Sequence, residues 1–134
     1  LSANFEGANL EGAIFSCAKF EGANLEGANL QSANLVIANF QGVNLVGVNL
    51  VGVNLAGASI DGTGIVTFNG SKHFAFYVPW QEYIKIGCVG MCIDSWLKYY
   101  QKVARQNDYT PEQVAEYLEF VRACASTGGI CKTK

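Results

Sequence analysis

A period of five residues runs through the first half of the chain. Large apolar side chains stand at every fifth position from Phe5 to Ile60, in twelve units without exception. Two residues before each of them the chain has a small apolar residue, which is Ala in nine units and Val in the other three. A strand alternates every two residues and a helix repeats about every 3.6 residues, so neither element accounts for this period.

The other positions of each unit are typical of a turn. The residue between the two apolar ones is Asn in nine of the twelve units, and the position two after the centre is mostly Gly. Asn can bond the backbone two residues on, and Gly adopts positive φ without strain, so both favour corners. Four units, each with two inward side chains and one outward corner, would close a coil of 20 residues.

The stretches ANLEG, ANLQS and VNLVG resemble the A-(D/N)-L-X-X unit of the pentapeptide-repeat family. The resemblance spans residues 1 to about 65 and implies a right-handed quadrilateral β-helix of about three coils. In that fold, residues 20 apart lie one above the other. The predicted columns include Phe5, Leu25, Leu45 and Ile65 in one case and Phe20, Phe40 and Ile60 in another.

The repeat stops after Gly64, and the chain is predicted to divide into a β-helix at residues 1–65 and an α+β capping region at residues 66–134. Asn69-Gly70 lies between two strand-like runs and is a strong hairpin signal. A third extended run, EYIKIGCV, follows at residues 82–89. The predicted fold is therefore mainly β, and its β-meander forms part of the cap.

Two amphipathic helices complete the predicted cap as an αα-hairpin over one end of the coil. Asp94 is predicted to cap the first helix. Thr110 and Gln113 form a capping box at the start of the second helix, with Pro111 at its first position. In the first helix the apolar residues at helical spacing are Trp96, Leu97, Tyr100, Val103 and Ala104. In the second helix the predicted buried face is Val114, Tyr117, Leu118, Val121 and Cys124.

The cap is also similar to tails that follow pentapeptide repeats in some phage and bacterial proteins. The similarity rests on IKIGC, on a Trp eight residues after that Cys, and on the helix YTPEQVAEYLEFVRA. It implies no activity.

Five cysteines occur in the chain. Cys17 stands at a repeat corner where Gly is usual and is interpreted as a small structural residue. Cys88, Cys92, Cys124 and Cys131 allow three interpretations, which are free thiols, two disulfides or a zinc site. The C-x3-C and C-x6-C spacings do not fit the usual zinc pairs. The similar tails carry the equivalent of Cys88 without an obvious partner, which favours thiols over disulfides.

His73 is the only histidine, so a catalytic triad or a Cys-His pair could use no other. It follows the predicted hairpin turn beside Lys72, and we expect a solvated strand residue. Glu112, Glu116 and Glu119 are expected on a solvated helix face, and no glycine-rich loop joins a strand to a helix. The sequence therefore predicts no enzyme, no cofactor, no metal site and no small-molecule substrate.

Acidic residues of the repeat raise an alternative function. Some pentapeptide-repeat proteins resemble duplex DNA and inhibit DNA gyrase, which requires a long, strongly acidic rod. Residues 1–62 contain five acids and one lysine, a net charge of −4, and Asn rather than Asp precedes most centres. A structural or protein-binding module is therefore favoured over a DNA mimic. The candidate acidic face is Glu6, Glu11, Glu21 and Glu26.

Outward positions change from acidic to apolar along the repeat. In one predicted column Glu6 and Glu26 are followed by Val46, and two other columns also gain valine. Contiguous exposed apolar residues mark interaction sites, so we predict a surface for a protein partner or a second copy. The alternative is that aromatic residues of the cap cover these valines. The candidate patch is Val36, Ile37, Val46 and Val51.

Neither a membrane span nor a nucleic-acid site is predicted. No apolar run approaches the roughly 20 residues that cross a bilayer, and the eight cations of residues 66–134 are offset by six acids. We expect a cytoplasmic protein, in the host-cell cytoplasm if the source is viral, or an extracytoplasmic one if the cap cysteines form disulfides. Leu1 stands part-way through a repeat, so the chain is expected to be processed or cut from a longer protein.

Overall fold

The computed structural model describes residues 3–128, which fall into two compact units. The first unit is Leu1–Ile65 and contains the five-residue repeats. The second is Val66–Lys134 and contains the named strands and helices of the described residues. Cys131 lies outside the described residues.

The repeat unit is held together by backbone hydrogen bonds between residues about twenty apart. Its parallel bridges pair Asn4 with Asn24, Asn9 with Asn29, Ile14 with Asn34, Lys19 with Asn39, Asn29 with Asn49, Asn34 with Asn54, and Asn39 with Ser59. The bridges give each unit of a 20-residue coil one ladder position, except at Asn44 in the third coil, and residues 3–62 make three coils. The 20-residue stacking predicted from the sequence is confirmed.

Each unit ends in a two-residue turn, and the second turn residue has positive φ in all twelve units. Nine of these residues are Gly, which adopts this conformation without strain. An Asn side chain closes nine of the turns: its Oδ1 accepts a hydrogen bond from the amide two residues on, at 2.9–3.2 Å. The corner chemistry predicted for Asn and Gly is confirmed.

Apolar centres fill the interior of the coils. Phe20 stacks on Phe40 with ring centroids 4.5 Å apart and ring planes 5° from parallel, as the predicted column requires. Phe20 also makes edge contacts with Phe5 and Phe15. In the first coil Phe5, Leu10 and Phe15 are half-buried, because one neighbouring coil covers them among the described residues. The centres of the second and third coils are buried.

Valine replaces alanine at the inner position of three units in the third coil, and the ladder loosens there. The amides of Asn49 and Asn54 lie 3.1 Å from their acceptors in the second coil, whereas that of Ser59 lies 2.9 Å away. Asn44 has no such bond within residues 3–128. We attribute the difference to the larger inner side chain, because Ser59 follows an alanine and the three Asn residues follow valines. Those valines are Val43, Val48 and Val53.

The second unit begins with a four-stranded antiparallel sheet in the order β1-β2-β3-β4. A 3₁₀ turn, Pro79–Gln81, separates the second and third strands. The predicted β-meander is confirmed, with one strand more than expected. The strands are β1 Val66–Asn69, β2 Phe74–Val78, β3 Tyr83–Ile86 and β4 Val89–Cys92.

Two details of the predicted strands differ from the structure. The run at residues 82–89 is divided, because Gly87 has a φ of 61° and the chain reverses there into β4. The hairpin predicted at Asn69-Gly70 is present, but Asn69 still pairs within the sheet. The connecting loop therefore spans residues 70–73.

Two helices follow the sheet, α1 at Ile93–Gln106 and α2 at Pro111–Gly128. The capping box of α2 is confirmed: Gln113 N donates to Thr110 Oγ1 at 3.1 Å, and Thr110 N donates to Gln113 Oε1 at 2.9 Å. The predicted cap of α1 is wrong. Because β4 runs directly into α1, Cys92 occupies the cap position and Asp94 lies in the first turn.

One apolar core joins the sheet to both helices. Trp96 anchors it, with its Nε1 donating to the carbonyl of Ile84 at 2.7 Å. Leu97, one of the apolar residues at helical spacing in α1, is 38% exposed because it lies at the edge of the buried face of the helix. The buried members of the core are Ala75, Tyr77, Ile84, Ile86, Ile93, Trp96, Tyr117, Val121 and Cys124.

Candidate interaction surface of the repeat unit

Four turns per coil give the repeat unit four corners, each a column of three two-residue turns. The first corner contains residues 6–7, 26–27 and 46–47, the second 11–12, 31–32 and 51–52, the third 16–17, 36–37 and 56–57, and the fourth 21–22, 41–42 and 61–62. The side that follows each corner takes the same number, so that Ile14 lies on the second side and Lys19 on the third. In a four-sided coil the first and third corners are opposite.

Departures at the Asn and Gly positions of the repeat are confined to one half of each coil. The Asn position is changed at Ile14, Lys19 and Ser59, and the Gly position at three corner residues with positive φ. All six substitutions lie at the second corner, the second side, the third corner or the third side. The substituted corner residues are Cys17, Ser32 and Ile37.

The third corner carries the strongest of these departures. Ile37 has a φ of 60° and is 59% exposed, although a β-branched residue strongly disfavours positive φ. Its amide donates to Ala56 O at 2.9 Å, and its side chain leans over Gly57, where an added Cβ would lie 3.2 Å from Ile37 Cγ1. Val36 precedes it and is half-buried. The third corner thus presents apolar surface at a strained position.

Ile14 extends this apolar surface onto the second side. It replaces the Asn that closes most turns and is 78% exposed, the highest exposed fraction of any large hydrophobic residue within residues 3–128. Two residues later the chain reaches the third corner, where Cys17 is exposed and has a φ of 63°. We call Ile14, Cys17, Val36 and Ile37 the third-corner surface.

The stacking separates the four residues of the predicted patch. Val36 and Ile37 share the third corner, whereas Val46 belongs to the first corner and Val51 to the second. Val46 is 56% exposed and Val51 is half-buried. The first and third corners are opposite, so Val46 is separated from Val36 and Ile37, and Val51 lies on the second corner between them.

The acidic residues avoid the third corner. Glu6 and Glu26 lie on the first corner, Glu11 on the second, and Glu21 with Asp61 on the fourth. All five are exposed. The residues of the predicted acidic face are therefore spread over three corners. The third corner has no charged residue.

The hairpin loop of the second unit is fastened to α2 and differs from the expectation for His73. Tyr117 Oη accepts hydrogen bonds from the amides of Lys72 (2.9 Å) and His73, and donates to His73 O at 2.7 Å. Glu116, expected to be solvated, accepts from Ser71 N and Ser71 Oγ. The loop is therefore a structural latch rather than a solvated strand.

The imidazole of His73 belongs to the same latch. Its Nδ1 lies 2.7 Å from Tyr109 Oη. Burial, followed by the nearby Tyr117, Cys88 and Glu116, raises the pKa of Tyr109 to about 12. The Tyr109 hydroxyl thus stays protonated near neutral pH and can donate to the ring. The prediction that His73 is solvated is wrong, because it is half-buried in a loop.

Cys17, Cys88 and Cys124 are free thiols. Cys17 and Cys88 are exposed, whereas Cys124 is buried and burial raises its pKa to about 11. Cys92 Sγ lies 3.5 Å from Ser95 Oγ. Across residues 3–128, no group of three or more His, Cys, Asp and Glu side chains could hold a metal ion.

Comparison with known proteins adds one finding. The family described as pentapeptide repeats (8 copies) matches residues 3–42 and, in an overlapping match, residues 33–63. Residues 3–63 match the pentapeptide-repeat family. The match supports the interpretation of the chain as a pentapeptide-repeat protein. The repeats of this family imply a β-helix. Members of the family generally have structural or interaction roles rather than enzymatic ones. No curated protein matches the chain significantly.

The second unit lies outside the matched pentapeptide repeats. Neither α1 nor the described part of α2 is long and apolar enough to cross a membrane. A cavity of about 30 Å³ between the helices and the sheet has room for about one water molecule.

Proposed function

We propose that the repeat unit is a right-handed quadrilateral β-helix that binds a protein partner through its third-corner surface and catalyses no reaction. The observation that carries the proposal is Ile37, which is exposed, apolar and strained. A non-glycine residue at such a φ costs roughly 1–3 kcal/mol, and strain of this kind is concentrated at functional sites.

The distribution of the other departures supports this assignment. The three corner residues that replace Gly and the three residues that replace Asn all lie within one half of the coil. Departures without a functional cause would be expected on every side of a repeat whose coils are equivalent. The absence of charge at the third corner within residues 3–62 also favours a partner with an apolar contact surface.

The cysteines support a reducing compartment such as the cytoplasm. Exposed thiols persist where disulfide formation is disfavoured, and Cys17 and Cys88 are both exposed.

Restoration of the repeat pattern tests the proposal. The double variant Ile14→Asn, Ile37→Gly should fold as the wild type does, because each substitution installs the residue that most units carry. Affinity capture from the source organism, quantified by mass spectrometry, should recover at least one protein with the wild type that the double variant no longer retains.

Val46→Gln is the matched control, because it removes an exposed apolar residue from the opposite corner. We expect this variant to retain the partner. Recovery of the same proteins by the wild type and by the double variant would contradict the proposal, as would equal loss in the double variant and in the control.

A further inference from the structure

The outward surface of α1 carries three cations. Lys98, Lys102 and Arg105 are exposed and lie within about 60° of one another around the helix. They face away from the buried Trp96 and Ala104. None of the three cations is in an ion pair within the described chain. We call Lys98, Lys102 and Arg105 the basic stripe.

Two exposed apolar residues flank the basic stripe. Leu97 is 38% exposed and Tyr99 is 43% exposed, and the Tyr99 ring lies under Lys98 Nζ at 5.3 Å. Asp94, in the first turn, is the one acid of α1. Exposed cations beside exposed apolar side chains favour an acidic protein surface as the ligand.

The first side of the repeat unit presents a complementary surface. Glu6 and Glu26 lie on its first-corner edge, and Glu11 lies on its second-corner edge. In the third coil the same edges carry Val46 and Val51. The surface between the edges is formed by Asn9, Asn29 and Asn49, whose side chains are hydrogen-bonded to one another in a column.

We propose that the basic stripe of one chain binds the first side of the repeat unit in a second copy of the chain. Successive coils rise by about 4.8 Å and successive helix turns by about 5.4 Å. A helix that lies along the column of coils therefore brings about one cation to each coil. The two surfaces match in their totals, with three cations beside Leu97 and Tyr99 against three acids beside Val46 and Val51; the acids lie in the first and second coils and the valines in the third.

A second copy is the occupant that these observations favour. Both surfaces are exposed in the single chain, so each molecule offers both halves of the contact. Exposed ion pairs are individually weak and screened by salt. The association is therefore weak, concentration-dependent and sensitive to ionic strength.

A charge exchange tests the proposal. In sedimentation velocity the wild type should associate at about 0.01 M salt and dissociate at about 1 M salt, where the Debye length falls from roughly 30 Å to 3 Å. Lys98→Glu, Lys102→Glu and, separately, Glu11→Lys, Glu26→Lys should each abolish association. An equimolar mixture of the two double variants should restore it, because each exchanged surface then meets its complement.

Glu21→Lys, Asp61→Lys is the control, since it makes the same change of charge on the fourth corner, and it should associate as the wild type does. A wild type that stays monomeric at low salt would overturn the proposal. So would association that the double variants leave unchanged, or a mixture that fails to associate although both variants keep their melting temperatures. The third-corner surface is untouched in every variant, so failure here leaves the proposed function standing.

Discussion

At the scale of single residues, Ile37 combines properties that oppose one another. Its positive φ lowers stability, and its exposed side chain gains little from burial. A residue selected for stability alone would be Gly, as in nine of the twelve turns. These properties support the proposal that Ile37 contacts a partner.

The backbone strain at Ile37 predicts a stabilising substitution. Ile37→Gly should keep or raise the free energy of unfolding by up to about 1 kcal/mol, because the relief of strain exceeds the added entropy of the unfolded chain. Gly47→Ala should lower it by about 1 kcal/mol, because Gly47 has a φ of 85°, which alanine adopts only with strain. No atom lies within 4 Å of an added Cβ, so backbone strain is the only cost. Urea denaturation of both variants measures whether each substitution raises or lowers the free energy of unfolding. A loss of stability in Ile37→Gly would contradict this explanation.

The three free thiols predict a graded reactivity. In the native protein, alkylation without reductant should label Cys17 and Cys88, whereas Cys124 should react only after denaturation, because it is buried and its pKa is raised to about 11. Peptide mass spectrometry reads the label at each site. If Cys88 and Cys124 take up label only after reduction, the thiol assignment is wrong and disulfides replace it.

At the scale of elements, the ladder between the second and third coils is uneven. The larger inner side chain of Val43 accounts for the missing bond at Asn44 within the described residues, and the valines at 48 and 53 account for the longer bonds at Asn49 and Asn54. The Val-rich stretch therefore both fills the core and loosens the hydrogen bonding around it.

The uneven ladder predicts an exchange pattern. By NMR, the amide of Asn44 should exchange about tenfold or more faster than that of Asn34, because only the latter is bonded to the coil below, at 2.9 Å. Asn54 should be intermediate. Equal protection of the three amides would show that the Asn44 amide is also hydrogen-bonded in solution, and would contradict the uneven ladder.

The latch between the hairpin loop and α2 predicts a second effect at this scale. Tyr117→Phe leaves two amides and one carbonyl of the loop without a partner, so it should lower the free energy of unfolding by about 1–3 kcal/mol. Tyr99→Phe, on the exposed surface of α1, should change it by less than about 0.5 kcal/mol. Thermal or chemical denaturation measures the free energy of unfolding of both variants. Similar losses in the two would show that the latch does not stabilise the fold.

Local signals made much of the fold predictable. Every repeat unit makes the same contacts, and the capping box of α2 lies within four residues, so both could be found without a structure. His73 could not be placed, because its partners Tyr109 and Tyr117 are 36 and 44 residues away. The division of the third extended run was missed because Gly87 alone marks the turn. Ile37 could have been recognised from the sequence as a replacement at a Gly position. Its location on the corner opposite Val46 became clear only when each turn was assigned to one of the four corners.

At the scale of the whole molecule, charge density favours the proposed interaction module over a DNA mimic. Three coils at about 4.8 Å each span about 14 Å, over which duplex DNA carries about eight phosphate charges. Residues 1–62 have five acids and one lysine, and the third corner has no acid. The repeat unit therefore has about half of the charge that a DNA mimic of its length needs.

This comparison predicts that the protein does not inhibit DNA gyrase. A supercoiling assay with protein and enzyme at equal concentrations should show unchanged activity. A variant with Gln31→Glu, Gln41→Glu and Val46→Glu brings the charge closer to that of DNA and shows whether charge is the limiting property. Inhibition by the wild type near equimolar amounts would establish the DNA-mimic function instead.

The 20-residue register also constrains how such a gene can change in length. Duplication of four units adds a complete coil and leaves every later residue at its own corner. Duplication of a single unit between Ile14 and Val36 would rotate all later units by a quarter turn and move Ile37 to the fourth corner. Slippage during replication could therefore create or destroy a binding surface without altering any amino-acid residue that forms it.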